Sequence, residues 1–388
     1  VDQFEPKNTT LKSLLTIVCA IVMGITLTAG LWPFSFHPKN QVRWTPERDG
    51  LFFGDNGMLI SEGNFGRIPG ESGISIEIWL EPKLSWASST ILSFYDPGIG
   101  PRMQVRQSGD DLVFQRFRGP GGNLKKQPSI FVDHVFAKNE RTLVTLTATE
   151  NGLDLYVDGA LKKSVKSATI QGEDFTGILI VANAPYGNLS WKGTYRGLAF
   201  YDRALPADEV QRNFSWWQRG EDLLAQAPPR PYSLYLFNEN SGERLHNTGK
   251  AGPDLLIPRS YFIYQPGFLV PFWKEFRPNR EYMKDVAINV FGLVPLGVCF
   301  SALFAWRSGR KRGFLYATLL GLGVSFTIEL LQSFMPTRFS GTTDLITNTS
   351  GAAMGALLYL NSYTQRWLQR AGLLKSRQHQ ATLSLRAS

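Results

Sequence analysis

Three apolar segments, Val286–Trp306, Phe314–Met335 and Leu345–Leu360, follow one another near the end of the chain. Each is long enough, or nearly so, to cross a bilayer, which takes about 20 helical residues. Each also carries polar or small residues at helical spacing: Asp285, Asn289 and Gly292; Ser325, Glu329 and Gln332; Asp344, Asn348 and Gly351. Positions i, i+4 and i+7 share one helix face. Membrane helices with one polar face each turn those faces toward one another, so the pattern predicts a helical bundle.

Depth adds a second constraint. Asp285 and Asp344 begin their segments, whereas Glu329 lies near the end of its own. Successive spans run antiparallel, so the three acids are expected at one side of the membrane. At about 1.5 Å per residue, Glu329 falls roughly 9 Å inside the end marked by Pro336, and Asn289 and Asn348 about 6 Å inside their acids. Arg338, in the Pro336–Thr343 loop, is placed to close over that shallow polar layer.

The text Asp285-x-x-x-Asn289, Phe291-Gly-Leu-Val-Pro295-Leu-Gly297, Ser325-x-x-x-Glu329-x-x-Gln332, Pro336-x-Arg338 and Asp344-x-x-x-Asn348-x-x-Gly351 resembles the VanZ-like membrane family in order and spacing. The resemblance covers the C-terminal region and extends to the first hydrophobic segment. It implies a membrane bundle and supplies no biochemical activity.

Charge supports the membrane reading. The chain has 41 Lys and Arg against 32 Asp and Glu, a net charge of +9. Arg307, Arg310, Lys311 and Arg312 lie between two apolar segments, and Arg366, Arg370, Lys375, Arg377 and Arg386 follow the last with no acid among them. Those nine charges account for the whole excess. They flank spans as cytoplasmic loops do, so they signal topology and argue against a nucleic-acid partner. Both cysteines, Cys19 and Cys299, sit in apolar segments, which leaves no disulfide framework or thiolate metal site.

Leu14 to Trp32 is uncharged, preceded by Lys7 and Lys12 and closed by Trp32-Pro-Phe34. The competing reading is a cleavable signal, for which Thr28-Ala-Gly30 is a poor site. A retained anchor is expected, giving four spans. The basic loop and tail orient them, with both termini cytoplasmic, the long central block periplasmic or extracellular, and the acid layer facing outward. The location so implied is a bacterial inner membrane.

From about Asn40 to Pro258 the period changes to two. Ile74, Ile76, Ile78 and Leu80 alternate with Ser75, Glu77 and Trp79; Leu143–Ala148 and Leu153–Val157 behave alike. Asp158-Gly159 is a two-residue hairpin turn, and Gly-rich turns recur, including Gly119–Gly122. Many short strands between turns predict an all-β sandwich. Gly50-Leu-Phe-Phe-Gly54, Ser75-Ile-Glu-Ile-Trp79-Leu-Glu-Pro82, Gly152-Leu-Asp-Leu-Tyr156-Val-Asp-Gly159 and Tyr195-Arg-Gly-Leu-Ala-Phe-Tyr201-Asp-Arg-Ala-Leu205 resemble LamG or concanavalin A-like jelly rolls. Asp208 to Ala227 reads as a helix, and Tyr261–Trp273 as an interfacial segment too broken to span. The expected domains are therefore an anchor (1–36), a jelly roll (40–258), an interfacial segment (259–284), transmembrane helices (285–362) and a basic cytoplasmic tail (363–388).

Hydrolysis of a glycosidic bond needs two carboxylates about 5–9 Å apart. Glu77 and Glu81 share a strand face but stand roughly 13 Å apart at about 3.3 Å per residue. Trp79 occupies the place of the acid that hydrolases of this fold carry between them. Sugar binding is the other possibility, with Trp79, Glu77, Trp191 and Tyr195 as candidate stacking and polar groups, and Tyr201 beside them. The alternative assigns these residues to the sandwich core. No metal set or cofactor motif is expected, since Asp55, Asp96 and Asp202 form no ligand spacing.

An intramembrane carboxylate costs about 2.5–3.5 kcal/mol even on a lenient insertion scale, so Glu329 needs a reason to be there. As a site residue it would act with Gln332, Asn289, Asn348 and Ser325, and Arg338 would meet a membrane lipid or lipid-linked glycan. As a structural residue it would bond between helices. Asp285 and Asp344 also suit helix starts, where acids complement the dipole. Three function classes stay open: an envelope protein whose jelly roll recognises a glycan or protein, a membrane enzyme with Glu329 as acid or base, and a subunit of a larger assembly. No nucleophile, metal cluster or nucleotide loop favours the enzyme.

Overall fold

A computed structural model of the protein describes residues 5–47, 49–118, 125–166, 168–187, 189–219, 229–276 and 280–370. The chain divides into a helical unit, Val1–Phe36 with Gly267–Ser388, and a β unit, His37–Pro266.

In the β unit two antiparallel sheets face each other. The first has the order β1 (Val42–Trp44), β2 (Leu51–Phe53), β14 (Gly193–Tyr201), β4 (Ile74–Pro82), β10 (Thr142–Thr149), β11 (Gly152–Val157) and β12 (Ala160–Val165), with β15 (Ser233–Tyr235) beside β14. The second runs β16 (Arg244–Leu245), β17 (Leu255–Leu256), β3 (Leu59–Ser61), β13 (Ile178–Val181), β5 (Ala87–Asp96), β6 (Gly100–Gly109), β7 (Asp111–Arg118) and β8 (Lys125–Lys126), with β9 (Ile130–Val132) also on β7. Ile74, Ile76, Ile78 and Leu80 fill the space between the sheets with Leu92, Phe94, Met103, Val105 and Phe200. Asp158 and Gly159 both have positive φ and join β11 to β12 directly, Val157 pairing with Ala160. That is the expected hairpin.

The alternation in β4 does not leave one face in water. Helix α2 (Ala207–Arg219) lies on the outer face of the first sheet, where Val210 and Trp217 pack with Trp79, Leu143, Tyr156 and Tyr201. Residues 220–227 of the expected helix, and the Gly119–Gly122 turn, lie outside the described residues. The outer face of the second sheet is covered by Tyr261, Phe262, Ile263 and Tyr264 against Met58, Tyr95 and Ile180. The sandwich therefore continues to Pro266, and the first residues expected in an interfacial segment are part of it instead. Tyr261 is pulled in because its ring is buried and its hydroxyl is bonded to Ser190 and Asn183.

The helical unit contains α1 (Glu5–Leu31), a short α3 (Phe272–Glu275), α4 (Arg280–Ser308), α5 (Arg310–Gln332), α6 (Thr342–Leu360) and α7 (Ser362–Arg370). α4 starts five residues before the expected bundle boundary at 285. Among the described residues, three helices are long and apolar enough to cross a membrane: α1 over Lys12–Leu31, α4 over Tyr282–Trp306 and α5 over Arg310–Gln332. α6 is not among them, since its first half, Thr342-Thr-Asp-Leu-Ile-Thr-Asn-Thr-Ser350, is largely polar. Glycines let α4 and α6 approach closely. A Cβ on Gly297 would overlap the Ala352 carbonyl, and one on Gly351 or Gly355 would overlap the Val290 or Val294 carbonyl. Ile288, Phe291, Leu319, Phe326, Ile346 and Leu357 are left on the outside of the bundle. From the basic tail, Lys375, Arg377 and Arg386 lie outside the described residues.

Candidate functional site

The N-terminus of α6 organises the polar layer of the bundle. A helix start presents unpaired N–H groups and the positive end of its dipole, so carboxylates gather there. Glu329, on α5 and only 1% exposed, accepts the Gly341 backbone amide at 2.9 Å. Glu275, at the end of α3, accepts the Thr343 amide at 3.0 Å and the Thr343 hydroxyl at 2.5 Å. The strand-like segment before α3 is fastened to the same loop: the Val270 amide donates to the Ser340 carbonyl at 3.0 Å, and the Thr342 amide donates to the Val270 carbonyl at 2.9 Å.

The other polar residues bond across neighbouring helices. The Asn289 amide donates to Asp344 at 2.7 Å, joining α4 to α6. The Asn348 amide donates to the Ser325 hydroxyl at 3.1 Å, joining α6 to α5. Gln332 donates to the Gly30 carbonyl of α1 at 2.8 Å, and the Arg338 guanidinium to the Trp32 carbonyl just beyond it. Asn289, Asp344, Asn348, Ser325 and Gln332 thus tie α4 to α6, α6 to α5 and α5 to α1, while Glu329 holds the loop before α6. Asp285 and Arg338 differ in being exposed.

The sequence reading missed Glu275. It lies just outside the apolar segments, among aromatics, and no spacing rule links it to Thr343. A carboxylate a few residues before a span was the available signal.

The four glycan candidates in the sandwich are a correction. Glu77, Trp191 and Tyr195 have no exposed surface and Trp79 has 6%. None offers a ring face to a sugar. Trp191 donates its indole N–H to Gln107 at 3.1 Å within the core, and the Tyr195 hydroxyl donates to the Ile91 carbonyl at 2.5 Å. Glu77 is enclosed by α2 and β14: it accepts from the Tyr201 hydroxyl at 2.8 Å, the Trp217 indole at 3.0 Å and the Asn213 amide at 3.0 Å. Burial pushes its pKa up, against the three donors that favour the charged form. The residue fastens α2 to the sheet. Polar character suggested a surface role, but the covering helix made this an interior one.

Among the described residues, one group offers three ligand atoms within 4.8 Å of one another: Asp110 and Asp111 at the β6–β7 turn and His134 just after β9. Its members already bond to each other, His134 Nδ1 lying 2.7 Å from Asp110 and its backbone amide donating to Asp111. The neighbouring carboxylate raises the His134 pKa.

Residues 232–364 match the family model VanZ/LLP1, and residues 53–211 match that of the concanavalin A-like lectin/glucanases superfamily. The chain therefore carries a VanZ-like region and a concanavalin A-like domain, the two resemblances its motifs present. The VanZ/LLP1 match begins inside the sandwich, just ahead of β15. No curated protein matches. Among solved structures, the binding domain of Paraclostridial Mosquitocidal Protein 1 is 17% identical over 46% of this chain and 47% of its own, with a TM-score of 0.33. The chain thus spans about half the length of that structure. The Ruminococcus gnavus IT-sialidase CBM40 is 12% identical over 43% of this chain and 96% of its own, also at a TM-score of 0.33.

Proposed function

We propose that the chain is a four-span envelope protein of a bacterial inner membrane that holds its sandwich on the outer side as a glycan-recognition module. One observation carries the reading: the sandwich closes on itself at the point where the chain enters and leaves. The Asn40 amide donates to the Arg259 carbonyl at 3.2 Å, and the Tyr261 amide donates to the Pro38 carbonyl at 2.8 Å. Such a module inserts between α1 and α4 without disturbing the bundle. Arg310, Lys311 and Arg312, between α4 and α5, and Arg366 and Arg370 after α6 support a cytoplasmic placement of those ends. α6 is the fourth span in this reading, its polar half turned to α4 and α5.

The bundle's polar layer serves as a rigid frame at the outer leaflet. Its exposed members, Asp285 and Arg338, are the groups that meet a lipid or lipid-linked headgroup. A second reading, a subunit of a membrane assembly, draws on Trp86, 76% exposed beside Leu84 at 44%. Exposed apolar side chains of this size in a cluster mark protein contacts.

Topology is tested by placing a single cysteine at Lys162, on the exposed β12, in a background lacking Cys19 and Cys299. A membrane-impermeant maleimide added to intact spheroplasts should label it; labelling only after lysis sinks the placement. Recognition is tested by purifying the full chain in mild detergent and identifying the glycans, lipids and proteins that accompany it. A glycan or lipid-linked species lost on Arg338→Ala supports the bundle site. A stoichiometric protein lost on Trp86→Ala, with no glycan, favours the assembly reading.

A further inference from the structure

One end of the second sheet carries a bare aromatic ring and a row of polar side chains on adjoining loops. Trp86 immediately precedes β5 and is 76% exposed. Ala87 is the register partner of Gly109, so Trp86 lies at the tip of the β6–β7 hairpin. Gly109 and Asp110 form the two-residue turn there, since Ser108 pairs with Asp111. Beyond that turn His134 follows β9, its Nδ1 2.7 Å from Asp110 and its amide donating to Asp111 at 3.0 Å. Adjacent strands stand about 5 Å apart. Trp86, Asp110 and His134 therefore follow one another along the ends of β5, β6, β7 and β9.

These loops are fixed against each other. Gln107, 1% exposed, donates its side-chain amide to the Leu84 carbonyl at 2.9 Å and the Gly109 carbonyl at 3.1 Å. The Phe136 amide donates to the Asp110 carbonyl at 2.8 Å. The far edge of the Trp86 indole rests on Gly109, where a Cβ would lie 3.2 Å from Cη2 and 3.3 Å from Cζ2. The ring is supported at that edge, and at this exposure its faces stand in water.

A tryptophan face left in water is apolar surface that a ligand can cover. The centre of a protein contact is depleted of charge, whereas Asp110, Asp111 and His134 adjoin this ring. A sugar suits both features. Its ring C–H groups stack on the negative π face, and its hydroxyls donate to carboxylates in bonds strengthened by charge. Asp110, Asp111 and Asp133 outnumber His134 in these two loops, which disfavours an acidic sugar. We propose that Trp86, Asp110 and His134 form a binding site for a neutral glycan, with one sugar ring stacked on Trp86 and hydroxyls bonded to Asp110 and His134. The proposal rests on the glycan-recognition reading and gives it a location and a ligand class.

The test applies the full chain, in a detergent without sugar groups, to an array of neutral and of uronate- or sialate-bearing oligosaccharides. Neutral glycans should bind, and calorimetry with the tightest of them should compare variants. Trp86→Ala should weaken it about tenfold or more, as expected for losing a stacked ring and the area it buries. Trp86→Tyr, which keeps a ring, should lose less, and His134→Ala should also weaken binding. Melting temperatures should stay unchanged, because both side chains are exposed. A neutral glycan bound equally by wild type and Trp86→Ala overturns the site while leaving glycan recognition intact. Binding of acidic glycans alone overturns the ligand class. Wild type that binds no glycan overturns the proposal together with the glycan-recognition reading, and a protein partner lost on Trp86→Ala in that case assigns the ring to an assembly.

Discussion

Glu275 holds Thr343 twice, accepting its backbone amide and its hydroxyl with one carboxylate oxygen. The same loop is held from the other side by Glu329 on the Gly341 amide. Two acids from two different helices thus do for α6 what a side chain at its own N-cap does in most helices. The N-cap position is a glycine, Gly341, and a Cβ there would collide with the Glu275 carboxylate.

Replacing Glu275 with alanine should destabilise the bundle by about 1 kcal/mol, the usual worth of a lost cap. Hydrogen exchange should quicken at residues 342–345 and not in α4. Glu275→Gln, which keeps an acceptor, should lose less. Unchanged exchange in Glu275→Ala would show that the carboxylate holds nothing.

The α4–α6 contact should tolerate no side chain at its glycines. Gly297→Ala and Gly355→Ala each push a methyl into a backbone carbonyl of the facing helix, which cannot swing aside. Each should cost about 1–3 kcal/mol, the range for overpacking. Gly292→Ala, on α4 with nothing within 4 Å of its Cβ, should be neutral or mildly stabilising. Melting temperatures in one detergent compare the three, and equal losses at Gly292 and Gly297 would contradict the packing.

Glu77 makes sandwich stability depend on pH. Burial raises its folded pKa above the usual carboxylate value. Between those two values the folded state retains a proton that the unfolded state has released. Stability is therefore fully present below the unfolded pKa, near 4.5, and is lost as pH rises from there toward the folded value. Glu77→Gln should remove this contribution and flatten the profile. Tryptophan fluorescence unfolding of the full chain at a series of pH values gives the slopes. A variant with an unchanged slope above pH 4.5 would refute the assignment.

Arg116 and Asp174 form a buried pair at 2.5 Å, at the end of β7, where Asp174 also accepts the Gln171 amide at 2.7 Å. Arg116→Met leaves a buried acid with one partner fewer and should cost about 3–5 kcal/mol. Changing both residues, Arg116→Met with Asp174→Asn, should recover part of the loss. No recovery in chemical denaturation of the double variant would show that the pair is not coupled.

Local spacing made the elements legible. The Asp158-Gly159 turn, the alternation of Ile74 to Leu80 and the i, i+4, i+7 stripes each depend on a few adjacent residues, so sequence alone determined the strands, the hairpin and the bundle's polar faces. The stripes also mark faces that meet, since Asn289 bonds to Asp344 and Asn348 to Ser325 across neighbouring helices. The partner of each side chain was a different matter. For Glu77, Trp79, Trp191 and Tyr195 the sequence leaves sugar contact and sandwich core both open, and α2 and the opposite sheet place them in the core. Glu275 acquires its role from Thr343, 68 positions away. Periodicity says which way a side chain points along its own element. Only tertiary packing decides what lies there, since burial and hydrogen-bond partners come from segments distant in the chain.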